Sequence, residues 1–224
     1  MELNETTLEV LKNFASINPN LVVTAGNEIK TITEAKNVLA SATVDIAFPQ
    51  TFGVYNLPEF LSVLSLVDKP NLKFEENFVI ISDSTGRSKV KYFFSDIEML
   101  TCPSKSITMP EADVKFTLDS STLSRLKRAA SALDNNKFAF TPKDGALEVT
   151  VADPANATSN TFSITIDGEY KEANFSFAFD INNLKIIDGD YDVAISSKLI
   201  SHFVNKSNGV QYWIALEKSS TFGV

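Results

Sequence analysis

The sequence predicts an α+β chain built as two similar domains, each carrying two helices. Three observations support this. Apolar and polar residues alternate in many short runs, and the 17 phenylalanines, against five tyrosines and one tryptophan, fall largely within them; that is the composition of strands with one buried face. The order helix, strands, short helix, strands occurs twice. Finally, Thr7-Leu8-Glu9-Val10-Leu11-Lys12-Asn13-Phe14-Ala15-Ser16-Ile17, moved along by 115 residues, falls on Thr122-Leu123-Ser124-Arg125-Leu126-Lys127-Arg128-Ala129-Ala130-Ser131-Ala132 with six of 11 positions identical. The shift is close to half of the 224-residue length and lands at the same place in each order of elements, which points to duplication.

Residues 6–17 read as a helix, with Leu8, Leu11, Phe14 and Ala15 on one face and Glu9, Lys12, Asn13 and Ser16 on the other. Asn4 or Thr6 can cap it. Strand-like runs follow at Leu21–Ala25, Glu28–Ile32 and Val38–Ala47. Tyr55 and Asn56 lead into a second short helix, Leu57–Leu66, with Pro58 in its first turn. Strands are expected at Leu72–Ser82 and Lys89–Phe94, joined by a turn at Asp83–Gly86. Residues 96–112 bear Pro103, Ser104, Lys105 and Pro110 among isolated apolar residues and read as a connector between domains 1–95 and 113–224. The second half begins with a strand, Val114–Leu118, and a helix, Ser120–Leu133. Strands follow at Lys137–Thr141, Ala146–Val151, Thr161–Ile166 and Asn174–Phe179, then a short helical turn at Ile181–Ile187. Tyr191–Ser196, Leu199–Asn205 and Val210–Leu216 close the chain as strands.

Composition narrows function. The 28 acidic against 20 basic residues give a net charge of −8, split as −4 in residues 1–110 and −4 in residues 111–224. Such a chain repels phosphate at long range, so any nucleic-acid contact must come from a local concentration of Lys and Arg. The single cysteine, Cys102, allows no intrachain disulfide and fits a reducing cytoplasm. No apolar run approaches the length that spans a bilayer, so no membrane partner is expected.

Enzyme chemistry finds little footing. His202 is the only histidine and sits among Ile200, Phe203 and Val204, an ordinary strand pattern. Asp188-Gly189-Asp190-Tyr191-Asp192 begins like a calcium loop, but it has Val193 where the turn glycine belongs and Leu199 where the bidentate glutamate belongs. No zinc spacing, Walker loop or G-x-G-x-x-G occurs. The expectation is a non-enzyme without cofactor or metal.

What remains is electrostatic. On the helix Ser120–Leu133, Leu123, Leu126, Ala130 and Leu133 form an apolar stripe, Arg128 points away from it, Arg125 lies near Arg128 and Lys127 flanks it. No acid falls within that span, and serines separate the bases. The face is either a plain solvated surface or a sequence-blind contact to phosphates. Lys12 stands at the repeat-equivalent position of Lys127; Lys185 falls on the short second helix of the second half and Lys69 follows that of the first.

The chain resembles the sliding clamps of DNA replication, specifically the clamp of T-even-type bacteriophages, in a family that includes proliferating cell nuclear antigen. The residues that carry the resemblance are Leu11-Lys12-Asn13-Phe14-Ala15-Ser16-Ile17-Asn18, Tyr55-Asn56-Leu57-Pro58-Glu59-Phe60-Leu61-Ser62-Val63-Leu64-Ser65-Leu66-Val67, and Tyr212-Trp213-Ile214-Ala215-Leu216-Glu217 with Ser219-Ser220-Thr221. The resemblance implies two clamp-type domains per chain, each with two helices on antiparallel sheet, and a homotrimer closed head-to-tail into a ring around duplex DNA. Further implied are tethering of the replicative DNA polymerase, loading by an ATP-driven clamp loader complex, and activation of late transcription through late-transcription factors. Lys12, Arg125, Lys127, Arg128 and Lys185 would face the bore; Leu57–Leu66 departs, with no base and one acid, Glu59, and only Lys69 after it. A partner-peptide pocket would be walled by Met99, Leu100, Ile214 and Leu216, which serve equally well to close the core. Subunits would pair Lys89-Val90-Lys91-Tyr92-Phe93-Phe94 with Thr161-Phe162-Ser163-Ile164-Thr165-Ile166. The competing expectation is a β-rich oligomeric virion structural protein.

Overall fold

The computed structural model describes residues 1–103, 107–153, 156 and 158–223. The chain divides into two compact units, Met1–Ser106 and Ile107–Val224. The connector residues 104–106 lie outside the described residues.

The first unit runs α1 (Glu5–Ile17), β1 (Leu21–Val23), β2 (Gly26–Ile32), β3 (Val38–Phe48), β4 (Phe52–Val54), α2 (Leu57–Ser65), β5 (Asn71–Phe74), β6 (Phe78–Ser82) and β7 (Lys89–Phe93). Asn4 caps α1, its side-chain oxygen accepting from the Thr7 N–H at 2.8 Å. The buried stripe is Thr7, Val10, Leu11, Phe14 and Ile17, one face at helical spacing, and it packs on β2, β3 and α2. Leu8 and Ala15, expected in that stripe, are only half-buried; the face turns toward Val10 and Ile17 instead. Within this unit the strands form two antiparallel arrays, ordered β3-β2-β1-β4 and β5-β6-β7.

The expected single strand Leu72–Ser82 is a hairpin. The Glu75 N–H donates to the Phe78 carbonyl at 2.9 Å, and Glu75-Glu76-Asn77 turns the chain without a glycine or proline to announce it. β7 ends before Phe94, whose ring leaves the strand to lie 4.9 Å from Phe52 and 6.2 Å from Phe74. Gly53 in β4 is required by a close approach: a Cβ there would stand 2.6 Å from the Ser95 carbonyl oxygen and 2.7 Å from Leu100 Cδ1. The expected connector is therefore partly anchored in this unit. Leu100 is buried, and the Thr101 N–H donates to Asn20 Oδ1 at 3.1 Å.

The second unit runs β8 (Val114–Leu118), α3 (Ser120–Ala132), β9 (Lys137–Lys143), β10 (Ala146–Val151), β11 (Phe162–Ile166), β12 (Glu169–Tyr170), β13 (Phe175–Asp180), a 3-10 turn at Ile181–Asn183, β14 (Tyr191–Ser196), β15 (Ile200–Asn205), β16 (Gln211–Ala215) and β17 (Thr221–Phe222). Its antiparallel arrays are β12-β8-β14-β15-β16 and β11-β10-β9-β13-β17. Phenylalanines from both meet in the core: Phe116 lies 4.7 Å from Phe140, Phe138 stacks on Phe179 at 5.2 Å, and Phe179 meets Phe203 edge-on at 6.3 Å. Burying each such ring contributes about 1.5–3 kcal/mol.

The repeat survives in three dimensions. Both ends of α3 lie 115 residues after those of α1, and the caps Asn4 and Asp119 correspond. The second helix pair does not correspond. The helical turn expected at Ile181–Ile187 shrinks to a 3-10 turn, after which Leu184, Ile186 and Ile187 are buried in non-helical chain. The backbone there has other partners: the Ile187 N–H donates to the Tyr212 hydroxyl at 3.2 Å, and the Tyr191 hydroxyl donates to the Ile187 carbonyl.

Candidate nucleic-acid interface

Asp119 places α3. Its carboxylate accepts from the Thr122 N–H at 2.8 Å and the Thr122 hydroxyl at 2.7 Å. Those bonds hold the carboxyl below its ordinary range. A second carboxylate, Asp190, accepts the Ser120 N–H at 2.8 Å. Two acids thus stand at the positive end of the helix dipole and satisfy its free N–H groups. Thr122, Leu123, Leu126 and Ala130 are buried beneath α3. Leu133, expected in that stripe, caps the helix and is half-buried.

The opposite face presents exposed Ser121, Ser124, Arg125, Arg128 and Ser131, with Lys127 half-exposed beside them. α1 differs, with Glu5 and Glu9 exposed alongside Lys12. α2 exposes Glu59, Ser62 and Ser65 and carries no base. Lys69 follows it in a left-handed conformation, φ 47°, and is exposed. Lys185 is exposed but lies beyond the 3-10 turn rather than on a helix.

Several lysines on or next to strands behave in the opposite way. Lys30 pairs with Glu28 at 2.8 Å and Lys73 with Glu75 at 2.8 Å. Lys137 meets Asp180 and Glu217 at 2.9 Å each, Lys143 pairs with Glu148, and Lys171 meets Asp113 at 2.9 Å and Glu111 at 3.0 Å. Burial works against the charge on Lys137, but its two carboxylates outweigh that and raise its pKa. Among the described residues, no such ion pair involves Lys12, Lys69, Arg125, Lys127 or Arg128. Lys89, Lys91 and Lys115 on β7 and β8 also enter no ion pair among the described residues, so what distinguishes α3 is that three bases and no acid share one helix. Of α1, α2 and α3, it is α3 that carries several bases and no acid.

The remaining expected sites separate. Leu100 is buried in the first unit, and Ile214 and Leu216 in the second, whereas Met99 is 79% exposed and Ile97 45%. β7 and β11 each lie at the end of their strand order, so each has one open hydrogen-bonding side among the described residues. Thr161 lies just before β11. His202 Nε2 lies 2.9 Å from Gln211 Oε1, and its ring stacks on Trp213 at 4.6 Å; neither neighbour is a nucleophile or a carboxylate. No helix among the described residues is long and apolar enough to cross a membrane, and no metal-holding cluster occurs among them. Sequence reasoning missed Asp190 as the second cap and Phe162 as a neighbour of Arg125, whose guanidinium lies 5.7 Å from the ring centre. Neither contact leaves a local signal in the sequence.

Comparison with known proteins agrees with this arrangement. The family described as "DNA polymerase processivity factor" matches residues 4–99, and that described as "gp45 sliding clamp, C terminal" matches residues 111–218. The sliding clamp of Vibrio phage KVP40 is 33% identical over 97% of this chain and 99% of its own length. Those of Escherichia phage RB69 and Enterobacteria phage T4 are 30% and 28% identical, each over 99% of both chains. Among solved structures, PCNA from Thermococcus kodakaraensis superposes with a TM-score of 0.69 at 16% identity, covering 95% of this chain and 96% of that one. The A. fulgidus PCNA structure, bound to the C-terminal region of FEN-1, gives 0.71 at 12%, covering 96% of each chain. These structures share the fold, and with two family descriptions covering the two units and a relative one-third identical along nearly all of it, the chain belongs to the sliding-clamp family.

Proposed function

We propose that this protein encircles duplex DNA as a homotrimer and tethers the replicative DNA polymerase as its processivity factor. The observation that carries this is the face of α3, where Arg125, Lys127 and Arg128 share one helix with no acid and enter no ion pair among the described residues, in a chain of net charge −8. A topological link needs no tight grip. A few sequence-blind contacts hold the duplex off the walls, and an acidic exterior discourages binding elsewhere. Edge strands β7 and β11 provide the two different surfaces that a head-to-tail ring needs. Exposed Ile97 and Met99 offer a partner an apolar anchor in the first unit. Loading by an ATP-driven clamp loader complex, activation of late transcription and residence in the host cytoplasm follow from the same reading.

The test is Lys127→Glu with Arg128→Glu. Both side chains lie off the buried stripe, so the variant keeps its melting temperature and its solution mass, that of three 24.6 kDa chains. Polymerase run length on primed circular template falls at least tenfold. Unchanged run length, or a wild-type mass of one chain at all concentrations, contradicts the reading. A protein recovered within purified virions and without effect on polymerase would instead indicate the virion role.

A further inference from the structure

Resting on the ring reading, we infer that Arg125 is a positioning residue of the subunit edge, holding Phe162 for the neighbouring copy, and that Lys127 and Arg128 carry the DNA contact of α3. Arg125 sits one turn toward the helix start from Arg128, and among the described residues it is the one of the two that reaches a ring: its guanidinium lies 5.7 Å from the centre of Phe162. A cation over an aromatic face is attracted by the ring quadrupole. Phe162 opens β11, the end strand of its sheet. β10 satisfies one side of that strand, with Val151 opposite Phe162 and Val149 opposite Ile164. The other side faces outward, and beneath it runs a groove lined by Phe116, Thr122, Arg125, Ile164 and Ile166.

The occupant this edge fits is β7 of a second copy. β7 is also an end strand, with half-buried Val90 and Tyr92 on one face and exposed Lys89, Lys91 and Phe93 on the other. On β11, Phe162, Ile164 and Ile166 are half-buried while Ser163 and Thr165 are exposed. Side chains opposite each other in an antiparallel pair share a face. An antiparallel alignment that sets Tyr92 against Phe162 also sets Val90 against Ile164, Lys91 against Ser163 and Lys89 against Thr165. The same register brings Arg87 opposite exposed Asp167. Phe93 and Ile166, at the two ends, fall opposite Thr161 and Ser88; between them apolar meets apolar and cation meets hydroxyl, and the one charged pair is of opposite sign. The cluster Arg125, Phe162 and the incoming Tyr92 then closes the end of the shared sheet next to α3. Arg125 serves this join by fixing the ring against which Tyr92 seats.

The experiment measures self-association of the full chain without DNA, by sedimentation over a range of concentrations, for wild type, Arg125→Gln, Phe162→Leu, the double variant and Arg128→Gln. Arg125→Gln and Phe162→Leu are each expected to weaken association about two- to fivefold per interface. The double variant is expected to be no weaker than the poorer single one, because both remove one contact. Phe162→Tyr keeps the ring and is expected to keep association; Arg128→Gln is expected to match wild type. Equal association of Arg125→Gln and Arg128→Gln, or fully additive losses in the double variant, overturns the inference while leaving the ring intact. A wild-type chain monomeric throughout overturns the ring reading, and this inference with it.

Discussion

His202 illustrates how one residue's surroundings set its role. Burial disfavours its charged form and the Gln211 side chain opposes that only in part, so its pKa falls below the ordinary value of about 6.5. As pH drops, the unfolded chain takes up this proton before the folded one does. Stability therefore declines from about pH 6.5 down toward the lower folded value and is unaffected above that window. Denaturant melts of wild type and His202→Gln between pH 7.5 and 5 check this: the wild-type slope disappears in the variant. Asp113 behaves differently. Burial raises its pKa, but the Ser197 N–H and Lys171 outweigh that and lower it, so its contribution is present above the ordinary carboxylate value of about 3.9 and is lost as pH falls through the folded value. Leu126, fully buried under α3, sets the packing scale. Leu126→Ala is expected to cost about 2–5 kcal/mol, read as a lowered denaturant midpoint with an unchanged slope. A loss below half a kcal/mol would mean that α3 is not seated as described.

At the scale of elements, caps and faces decide. Asp119→Ala removes the acceptor for both Thr122 groups and is expected to cost about 0.5–2 kcal/mol. Asp190→Ala removes only the Ser120 acceptor and is expected to cost less. The two substitutions on one helix end give an internal comparison by thermal melting, and a reversed order would place the main cap at Asp190. α1, α2 and α3 were legible in the sequence because each combines a polar cap with apolar residues at helical spacing over two turns or more. Ile181–Ile187 was not, because Leu184, Ile186 and Ile187 are too few to separate a helical period from an extended one, and the hydroxyls that hold the backbone come from Tyr191 and Tyr212. The β5–β6 hairpin escaped because its turn, Glu75-Glu76-Asn77, holds no glycine or proline. The short strands Phe52–Val54, Glu169–Tyr170 and Thr221–Phe222 exist through their partners β1, β8 and β13, with too few residues to show a period of their own.

Across the whole molecule, the sequence showed which bases cluster but not which are spent. Lys137 looks as available as Lys127 in one dimension; only folding brings Asp180 and Glu217 to it. In the same way Arg125 and Phe162 are far apart along the chain and adjacent in space. The two domains repeat a scaffold, with α1 and α3 in matching positions, yet of these two helices it is α3 that carries three bases and no acid. A ring of three such chains would alternate strongly and weakly basic segments around the duplex. Contact of that kind is electrostatic and sequence-blind, so free affinity for DNA should be low and fall steeply with salt. Retention after loading should depend on topology instead. The most direct test loads the protein onto a nicked DNA circle with loader and ATP, raises the salt, and compares retention before and after a restriction enzyme linearises the circle. The account predicts that the protein stays on the circle and slides off the linear molecule within minutes. Equal retention on both forms, or equal loss from both, would contradict it.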